Sequence, residues 1–549
     1  MSDRAAAGAS TAQAVAAHPP LSVAITTIGV IAVAMVGSTI SSQLVDLDIA
    51  DVGGGFSVSA DDASWIASVA TMAEVVSIPI AAILVRALSL RRVAVYSAAL
   101  YLVCACLSLL VSGEDRLIVL RATQSYCSGT MSVLMFVSVM ATLPPGFARN
   151  IGLALFAFAS TAPTALNASA GAFVTERWGW QGLYYFDITW GLTFLVLAWR
   201  FLRPAPRAMR LSEIDWLGYV ILAVGLAALI LFMKQGDRFF WLDNPIIRHA
   251  GLLAAIAIPL ALVLLLVRQR PLLDLGLMAT PTFGWAIVIA TFYRFGLVMT
   301  AFVVPQALGR LQGFRIEQIA DANIWTFWAQ CVGFPLAWLW ASRGDPRQPL
   351  SLGLALFAAG AFVCTYLTPQ WQAGDFRLAL ILVGLGQGLF LVPTLFYATR
   401  DVKPEQGPTA AAFFNLSRIV GQTLGIGVVS ALIRYREDFH SAVLVESVNN
   451  ANSAVAERFN GLVASFLATH GDAALATKQA WASLSAMLSN QAYVLAFADA
   501  FVIVAAVLGV SALLVLMLPP LHATVTRAEA AMATVPPVIR AATPAGNER

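Results

Sequence analysis

Four ionisable side chains lie within long apolar runs of the sequence: Glu74, Arg121, Arg294 and Arg418. An ionisable group at the centre of a membrane-spanning helix costs roughly 2.5–3.5 kcal/mol, so each of the four requires a compensating role. A buried carboxylate such as Glu74 can bind and release a proton. A buried guanidinium can bind an anionic substrate or tune a nearby carboxylate. These residue types therefore indicate that protons or cargo are handled inside a membrane.

Each of the four side chains also has a purely structural interpretation. Glu74 can form an ion pair or a hydrogen bond with a neighbouring helix. Arg121 can extend its head group toward water at the outer end of its helix. Arg294 can pair with an acid or with backbone carbonyls, and Arg418 can clamp helix ends together. The sequence leaves both interpretations open at every position.

Three more polar side chains stand in apolar surroundings. Asp187 and Asp499 lie close to predicted outer helix ends, where interfacial water accounts for them. Gln387 lies among three glycines of one run, a pattern that favours close helix packing. We retain Gln387 as a candidate for a substrate cavity as well.

The elements that position these residues must be membrane-spanning helices. Of 549 residues, 59% are hydrophobic and 11% are charged, whereas a soluble domain has about 25% charged residues. Lipid tolerates only helices or closed barrels, and runs of roughly 18–25 apolar residues fit helices. The sequence predicts about fourteen spans, at residues 23–45, 63–86, 92–111, 117–141, 151–173, 183–202, 217–234, 248–268, 283–307, 320–341, 350–367, 376–398, 410–433 and 494–517.

Loop charge predicts the orientation of these spans. Residues 1–22 are interpreted as a disordered cytoplasmic tail, and residues 518–549 as a second cytoplasmic tail. With both ends in the cytoplasm, about thirteen Arg and Lys residues lie in inner loops and about seven in outer loops, as the positive-inside rule requires. Lysine is rare and arginine common, which is typical of a GC-rich bacterial genome. We therefore expect a multi-pass protein of a bacterial inner membrane.

One connection is too long for a simple turn. Residues 434–490 are polar enough to leave the membrane and are expected on the outer, periplasmic side. Residues 451–467 have a helix-forming composition, which favours a helical cap over a flexible loop.

Several classes of chemistry have no support in the sequence. The five cysteines all lie in apolar runs and the five histidines form no ligand cluster, so neither a disulfide nor a metal site is expected. No GxxxxGK[ST] motif is present, which argues against a built-in ATPase. No catalytic constellation and no basic stripe for nucleic acid is present either. We expect no enzyme activity and no cofactor.

Short motifs along residues 23–520 carry a family resemblance. They are Asp215-Trp216-Leu217-Gly218, KQGDRFFWLDNP at 234–245, Pro271-Leu272-Leu273-Asp274-Leu275, Phe414-Asn415-Leu416-Ser417-Arg418 followed by Gly421 and Gly425, the outer-loop residues Arg436, Glu437, His440 and Leu444, and Asn490-Gln491. In this order and spacing the chain resembles the fourteen-spanner drug:proton antiporters of the major facilitator superfamily, most closely the EmrB-type pumps. The resemblance implies a six-helix bundle at 23–202, a linker and two inserted helices at 203–268, and a second six-helix bundle at 269–517.

The first half departs from the family pattern at positions that the family links to proton coupling. Gly37 stands where the family has an Asp in helix 1, and Asn167-Ala168 replace a Gly-Pro pair in helix 5. These departures affect the expected coupling of transport to protons, and they do not affect the expected fold. The motif residues that are kept in this half are Arg91, Arg92, Arg121, Gln124 and Gly129.

The resemblance implies secondary active efflux of hydrophobic compounds by alternating access, driven by proton antiport. The proton-coupling candidates are Glu74 and Arg121, the substrate-cavity candidates are Arg121, Gln124, Arg294 and Gln387, and the structural or gating candidates are Arg418, Asn415, Arg91 and Arg92. Relative to the family pattern, this chain lacks the acid in helix 1 and has an additional arginine, Arg294. The expected cavity is therefore more positively charged than in the family. The sequence therefore predicts neutral or anionic aromatic substrates over cations.

Partners and rival functions follow from the same resemblance. A small-molecule substrate, protons and the lipid bilayer are expected. A periplasmic membrane-fusion adaptor and an outer-membrane channel are implied by the family. Two other functions remain open: a dedicated metabolite exporter or importer of the same fold, and a membrane sensor that has lost transport.

Overall fold

The computed structural model describes residues 19–47, 49–111, 113–144, 146–204, 209–269, 271–446, 448 and 453–517. Most of the predicted amino-terminal tail and all of the tail at 518–549 lie outside these residues. Within them, every regular element is a helix. The all-α fold class predicted from composition is confirmed.

The first part of the chain forms nine helices among the described residues. They are α1 (Leu21–Leu47), α2 (Ile49–Phe56), α3 (Ala60–Leu88), α4 (Leu90–Ser108), α5 (Glu114–Thr142), α6 (Phe147–Trp178), α7 (Gly182–Phe201), α8 (Trp216–Gln235) and α9 (Pro245–Val267). Two family motifs act as helix caps here. The Asp215 carboxylate accepts a hydrogen bond from the Gly218 amide at the start of α8, and Asn244 caps α9, whose first residue is Pro245.

The second part continues the same pattern. Its helices are α10 (Pro281–Gly296), α11 (Val304–Gln312), α12 (Ile316–Arg343), α13 (Arg347–Val363), α14 (Arg377–Thr399), α15 (Gly407–Glu446), α16 (Ser453–His470) and α17 (Ala473–Leu516). A π-helical turn at Met299–Val303 joins α10 to α11. Such turns occur mostly as single insertions in α-helices and are frequent at functional sites.

Successive long helices alternate in direction, which defines two sides of the molecule. We call the side where α1 begins the proximal side and the side where α1 ends the distal side. Contacts agree with this alternation, because the start of α6 meets the end of α12 through Phe147 and Trp338. The loop residue Asp274 likewise accepts a hydrogen bond from Gln406, just before α15.

Twelve segments of the described chain are long and apolar enough to cross a membrane. One of them, Phe147–Phe201, has 55 residues and contains both α6 and α7. As a single straight helix at 1.5 Å per residue it would be about 80 Å long, well beyond the roughly 30 Å of a hydrocarbon core. The helix α12 has 28 residues and is not among the twelve. A multi-pass membrane protein is therefore established, and the count of fourteen stays a prediction.

The long helices pack as two bundles with a helix pair beside them. One bundle contains α1 and α3 to α7, and the other contains α10 to α15 with α17. The bundles meet where α3 and α5 face α15 and where α6 faces α12 and α14. The α8–α9 pair packs against α3 and α15, so it covers one edge of the seam between the bundles.

A helical projection extends from the distal side. The 40-residue α15 and the 44-residue α17 both continue past the length needed to cross a bilayer, and α16 packs against the start of α17. Phe459 and Trp481 join these two helices, with ring centroids 4.5 Å apart. The predicted helix at 451–467 corresponds to α16, whose first two predicted residues lie outside the described chain.

Candidate transport pathway and its buried charges

A buried ion pair connects the two bundles at mid-depth. Glu74 lies at the midpoint of α3, and its Oε1 accepts a hydrogen bond from Nη2 of Arg418 on α15 at 2.8 Å. Both side chains are about nine-tenths buried. Glu74 therefore forms an ion pair with a neighbouring helix, and Arg418 joins two bundles rather than two helix ends.

Close approach of α5 to α3 depends on Gly129. A Cβ atom at this position would lie 2.5 Å from the backbone oxygen of Glu74 and 3.0 Å from its Cγ. No real side chain fits there without moving Glu74. This steric requirement accounts for the glycine at position 129, one of the family motif residues kept in the first half.

A third charge, Arg294, lies beside this ion pair. Arg294 is on α10 and 5% exposed, and a Cβ atom at Gly421 of α15 would lie 2.9 Å from the Arg294 Cβ. Among the described residues no hydrogen bond or ion pair of Arg294 is found, although its guanidinium lies 5.4 Å from the ring of Tyr293. The structural alternative for Arg294, a pair with an acid or with backbone carbonyls, is therefore not found in that part of the chain. Glu74, Arg294 and Arg418 together therefore leave an excess positive charge at the seam.

A second buried ion pair lies entirely within the first bundle. Nη1 of Arg121 on α5 donates to Oδ2 of Asp187 on α7 at 3.2 Å, and its Nη2 donates to the Ser41 carbonyl of α1 at 3.1 Å. Gln124 is 3.4 Å from both Arg121 and Asp187. Arg121 and Asp187 are 1% and 2% exposed. Neither the extension of Arg121 toward water nor the interfacial solvation of Asp187 is found, and both interpretations are wrong.

The gap left by the missing helix 1 acid is filled by tryptophan. A Cβ atom at Gly37 of α1 would lie 1.6 Å from Nε1 of Trp190 on α7, and that nitrogen donates to the Val33 carbonyl at 3.0 Å. An aspartate at position 37 is incompatible with this packing. The charge partner of Arg121 is consequently supplied by α7 rather than by α1.

A small polar cavity lies near mid-depth between the bundles. It is lined by Thr161, Thr164 and Ala165 of α6, Leu297 and Thr300 near the π-helical turn, Asn323, Thr326 and Gln330 of α12, and Gln387 of α14. Gln330 donates to Gln387 at 2.5 Å. The Oδ1 of Asn323 and the Oε1 of Gln330 are buried acceptors for which the described residues supply no partner. The cavity is therefore uncharged, polar and able to accept further hydrogen bonds.

Aromatic contacts close the seam on the proximal side of this cavity. Phe136 packs on Phe414 with centroids 5.3 Å apart, and Phe147 packs on Trp338 at 5.5 Å. Phe158 contacts Phe334 at 5.4 Å. The cavity itself has room for about one water molecule. Entry of a larger molecule therefore requires the bundles to move apart.

The remaining predicted residues fall in different places. Gln387 lines the cavity, while Gln124 and Arg121 belong to the ion pair inside the first bundle. Asn415 is buried and donates to the Ala411 carbonyl within α15. Arg91 donates to the Trp199 carbonyl on the proximal side, and Arg92 is exposed there. The candidates thus divide among the seam charges, the ion pair inside the first bundle, the cavity and the proximal side rather than forming one site.

Sequence reasoning missed several residues of these sites. The insertion-cost argument that singled out Glu74 applies equally to Asp187, so Asp187 had a usable signal. The cavity residues Thr161, Thr164 and Asn323 had none, because small neutral polar side chains are common in membrane helices. Asp499 is one-third exposed and pairs with Arg436 at 2.6 Å and His440 at 2.8 Å, so it is not explained by water alone.

Comparison with known proteins supports the same architecture. The family model described as Major Facilitator Superfamily matches residues 21–293. The chain is similar in fold to the proton:xylose symporter XylE, with a TM-score of 0.53 and 11% identity over 88% of this chain and 95% of that structure.

Curated relatives are similar along most of the chain. The Acinetobacter baumannii colistin resistance protein EmrB is 23% identical over 77% of this chain and 83% of its own length. The Neisseria gonorrhoeae fatty acid resistance protein FarB is 21% identical over 77% of this chain and 84% of its own. The Escherichia coli K12 multidrug export protein EmrB is 21% identical over 75% of this chain and 81% of its own.

Proposed function

Because the chain belongs to the major facilitator superfamily and is a transporter, not an enzyme, we propose that it exports hydrophobic, aromatic compounds of neutral or negative charge by proton antiport. The observation that carries this proposal is the seam between the two bundles, which holds an uncharged polar cavity and an excess cation at the same depth. A secondary transporter binds cargo at such a midplane seam and rocks its halves about it.

The transport cycle begins from a state in which aromatic contacts close the proximal side of the cavity. The proximal aromatic contacts through Phe136, Phe147 and Phe158 must separate for cargo to enter from that side. We assign the proximal side and both termini to the cytoplasm of a bacterial inner membrane, because the distribution of loop charges favours that orientation. Cargo then enters by separation of the proximal contacts and leaves by separation of the distal ends.

The charge of the cargo is set by Arg294. Its guanidinium is buried, and a buried cation attracts an anion far more strongly than an exposed one because the surroundings screen it weakly. Tyr293, Phe357 and Phe390 form an aromatic group behind it, with the Tyr293 and Phe390 rings 4.3 Å apart. The names of the curated relatives include resistance to fatty acids, which are anionic amphiphiles. Aromatic anions suit this combination of groups.

Proton coupling is assigned to Glu74 because its ion pair joins the moving parts. While Glu74 is ionised, Arg418 holds α15 against α3 across the seam. A proton on Glu74 removes this attraction and leaves the bundles free to separate. A proton taken up from the outer side and released to the inner side would drive cargo in the opposite direction. Arg121 tunes coupling from the first bundle.

The distal projection is the proposed docking element for a periplasmic adaptor and, through it, an outer-membrane channel. It presents exposed apolar side chains, among them Tyr435, Phe439 and Trp481. Exposed apolar groups on one element favour a protein partner. Removing residues 453–470 is expected to abolish co-purification of an adaptor while leaving transport into reconstituted vesicles unchanged.

A second function is favoured by one feature of the cavity. Its lining is rich in Thr, Asn and Gln rather than aromatic residues, and such groups select ligands that donate hydrogen bonds. A dedicated exporter or importer of one hydroxylated metabolite fits this lining. Competition assays separate the two functions, because a drug exporter is inhibited by many unrelated aromatic compounds and a dedicated transporter by close analogues of one compound.

The proposal is tested in proteoliposomes with an acidic lumen. Uptake of naphthalene-2-sulfonate, a permanently charged aromatic anion, is compared with uptake of the permanent cation tetraphenylphosphonium. We expect pH-driven accumulation of the anion, and about a tenfold rise in its KM in Arg294→Ala, equivalent to about 1.4 kcal/mol of lost binding. The exposed Arg248→Ala is the matched control and should behave like the parent. Preferential accumulation of the cation would overturn the charge assignment.

A further inference from the structure

We propose that Asp187 is a second proton-binding residue of the transporter, in a site separate from Glu74 and physically linked to the cargo cavity. The inference rests on the proposed proton-driven function. Its site is the ion pair inside the first bundle, made by Asp187 of α7 and Arg121 of α5.

The groups that face Asp187 come from four different helices. Arg121 and Gln124 approach from α5, the hydroxyls of Ser41 on α1 and Tyr101 on α4 approach the same carboxylate, and Tyr184 lies one turn away on α7. The Ser41 and Tyr101 hydroxyls are themselves 2.5 Å apart. These donors belong to separate helices. Relative motion of α1, α4, α5 and α7 therefore removes them from a carboxylate that is only 2% exposed. A desolvated carboxylate that loses its donors takes up a proton.

Arg121 does not lose all its partners when Asp187 is protonated. Its Nη2 still donates to the Ser41 carbonyl at 3.1 Å, and its Nη1 lies 3.4 Å from the Gln124 carbonyl oxygen. These two acceptors are neutral and remain in place whatever the charge on Asp187. The cation is therefore supported in both protonation states, as a reversible proton site requires.

A short chain of contacts links this site to the cargo cavity. Ser41 lies two residues before Gln43 on α1, and Gln43 donates to the Thr164 hydroxyl at 3.2 Å. Thr164 lines the cavity between the bundles. Cargo that contacts Thr164 competes with Gln43 for the Thr164 hydroxyl. This competition displaces α1, and the Ser41 donor at Asp187 moves with α1. Cargo binding and proton binding are thereby opposed, as antiport demands.

An aromatic column separates Asp187 from the distal surface. Phe56 of α2 lies 5.1 Å from Trp180, and Trp180 lies 6.1 Å from Tyr184 in centroid distance. A Cβ atom at Gly55 would lie 2.4 Å from Nε1 of Trp180, so α2 packs directly on this column. Within the part of the chain that the structure describes, the buried Tyr184 hydroxyl has no hydrogen-bond partner. It offers an incoming water molecule one polar contact on the way to Asp187.

The deciding experiment measures coupling separately from cargo movement, with naphthalene-2-sulfonate as the probe. In proteoliposomes with equal pH on both sides, Asp187→Asn should exchange the probe at a rate within about twofold of the parent rate. With a pH gradient, the same variant should accumulate the probe at least about tenfold less than the parent. Asp187→Glu should retain accumulation with a shifted pH profile. Asp499→Asn is the matched control, because it alters a distal acid that is one-third exposed. This variant should accumulate the probe like the parent. Unchanged accumulation and an unchanged pH profile in Asp187→Asn would overturn the proposal.

A spectroscopic measurement covers the case in which Asp187→Asn does not fold. The pH-difference infrared spectrum of the parent should contain a protonated carboxyl band that shifts in Asp187→Glu and persists in Glu74→Gln. A spectrum whose carboxyl bands are all unaffected by Asp187→Glu would reject the site. Failure of the proposed function gives a different result, because the parent itself would then show no pH-driven accumulation of either probe.

Discussion

The two buried ion pairs use the same chemistry and differ in what they connect. Glu74–Arg418 spans the seam between bundles that must separate, whereas Arg121–Asp187 joins helices of one bundle. The second pair is also the more deeply buried. The Glu74–Arg418 pair crosses a moving seam, so it holds the two bundles together. The Arg121–Asp187 pair lies inside one bundle, so the protonation of Asp187 depends on how the helices of that bundle pack. Burial and position, rather than residue type, therefore separate their roles.

The largest effect is expected from removing the cation of the inner pair. Arg121→Ala leaves Asp187 buried without its charge partner, which should cost about 3–5 kcal/mol of stability. The double variant Arg121→Ala/Asp187→Asn removes both charges and should recover a part of that loss. Thermal unfolding in detergent, together with the yield of monodisperse protein, provides the measurement. A single variant as stable as the parent would contradict the assigned burial of the pair.

The seam pair should affect conformation more than stability. Charge reversal by Glu74→Arg replaces the ion pair, whose atoms are now 2.8 Å apart, with two cations that repel each other across the seam. We expect the proximal ends to separate, measured as a longer spin-label distance between Ala141→Cys and Ser342→Cys. The compensating variant Glu74→Arg/Arg418→Glu should restore the parent distance. No change in distance for the single variant would mean that the pair does not latch the seam.

A smaller effect is expected from filling the space between α10 and α15. Gly421→Ala places a methyl group 2.9 Å from the Arg294 Cβ and 3.1 Å from the Thr291 carbonyl oxygen. Overpacking of this kind costs about 1–3 kcal/mol, and it should also displace Arg294 and weaken anion transport. Gly509→Ala is the matched control, since a Cβ atom there has no neighbour within 4 Å among the described residues. Equal melting temperatures for the two variants would refute the packing argument.

The smallest effect is expected at a surface pair. Asp61 and Arg238 form a hydrogen-bonded ion pair on the distal side, where Asp61 is 68% exposed. Exposed pairs contribute about 0–1 kcal/mol, so Asp61→Asn should change the melting temperature little. Thermal unfolding at low and high salt checks this expectation. A loss comparable to that of Arg121→Ala would show that burial does not rank these pairs.

Sequence reasoning singled out both members of the seam pair and one member of the inner pair. Glu74, Arg121 and Arg418 stand out because a charge in an apolar run is costly wherever its helix lies. Which of these charges meet depends on helix rotation and contact, which no local pattern specifies. Asp187 was assigned to interfacial water because it lies near a helix end, yet packing of α1, α4 and α5 around that end buries it. The absence of an acid at Gly37 was visible, and its replacement by Trp190 was not.

The sequence by itself determined that this chain spans a membrane with helices, because its scarcity of charge and the length of its apolar runs leave lipid as the only suitable solvent. It also determined several helix starts, since Asp215 and Asn244 cap their helices through contacts only two or three residues away. Only the tertiary structure decided which charges meet. Contacts such as Glu74–Arg418, 344 residues apart, depend on how whole bundles pack, and that packing is a property of many weak interactions rather than of any one motif.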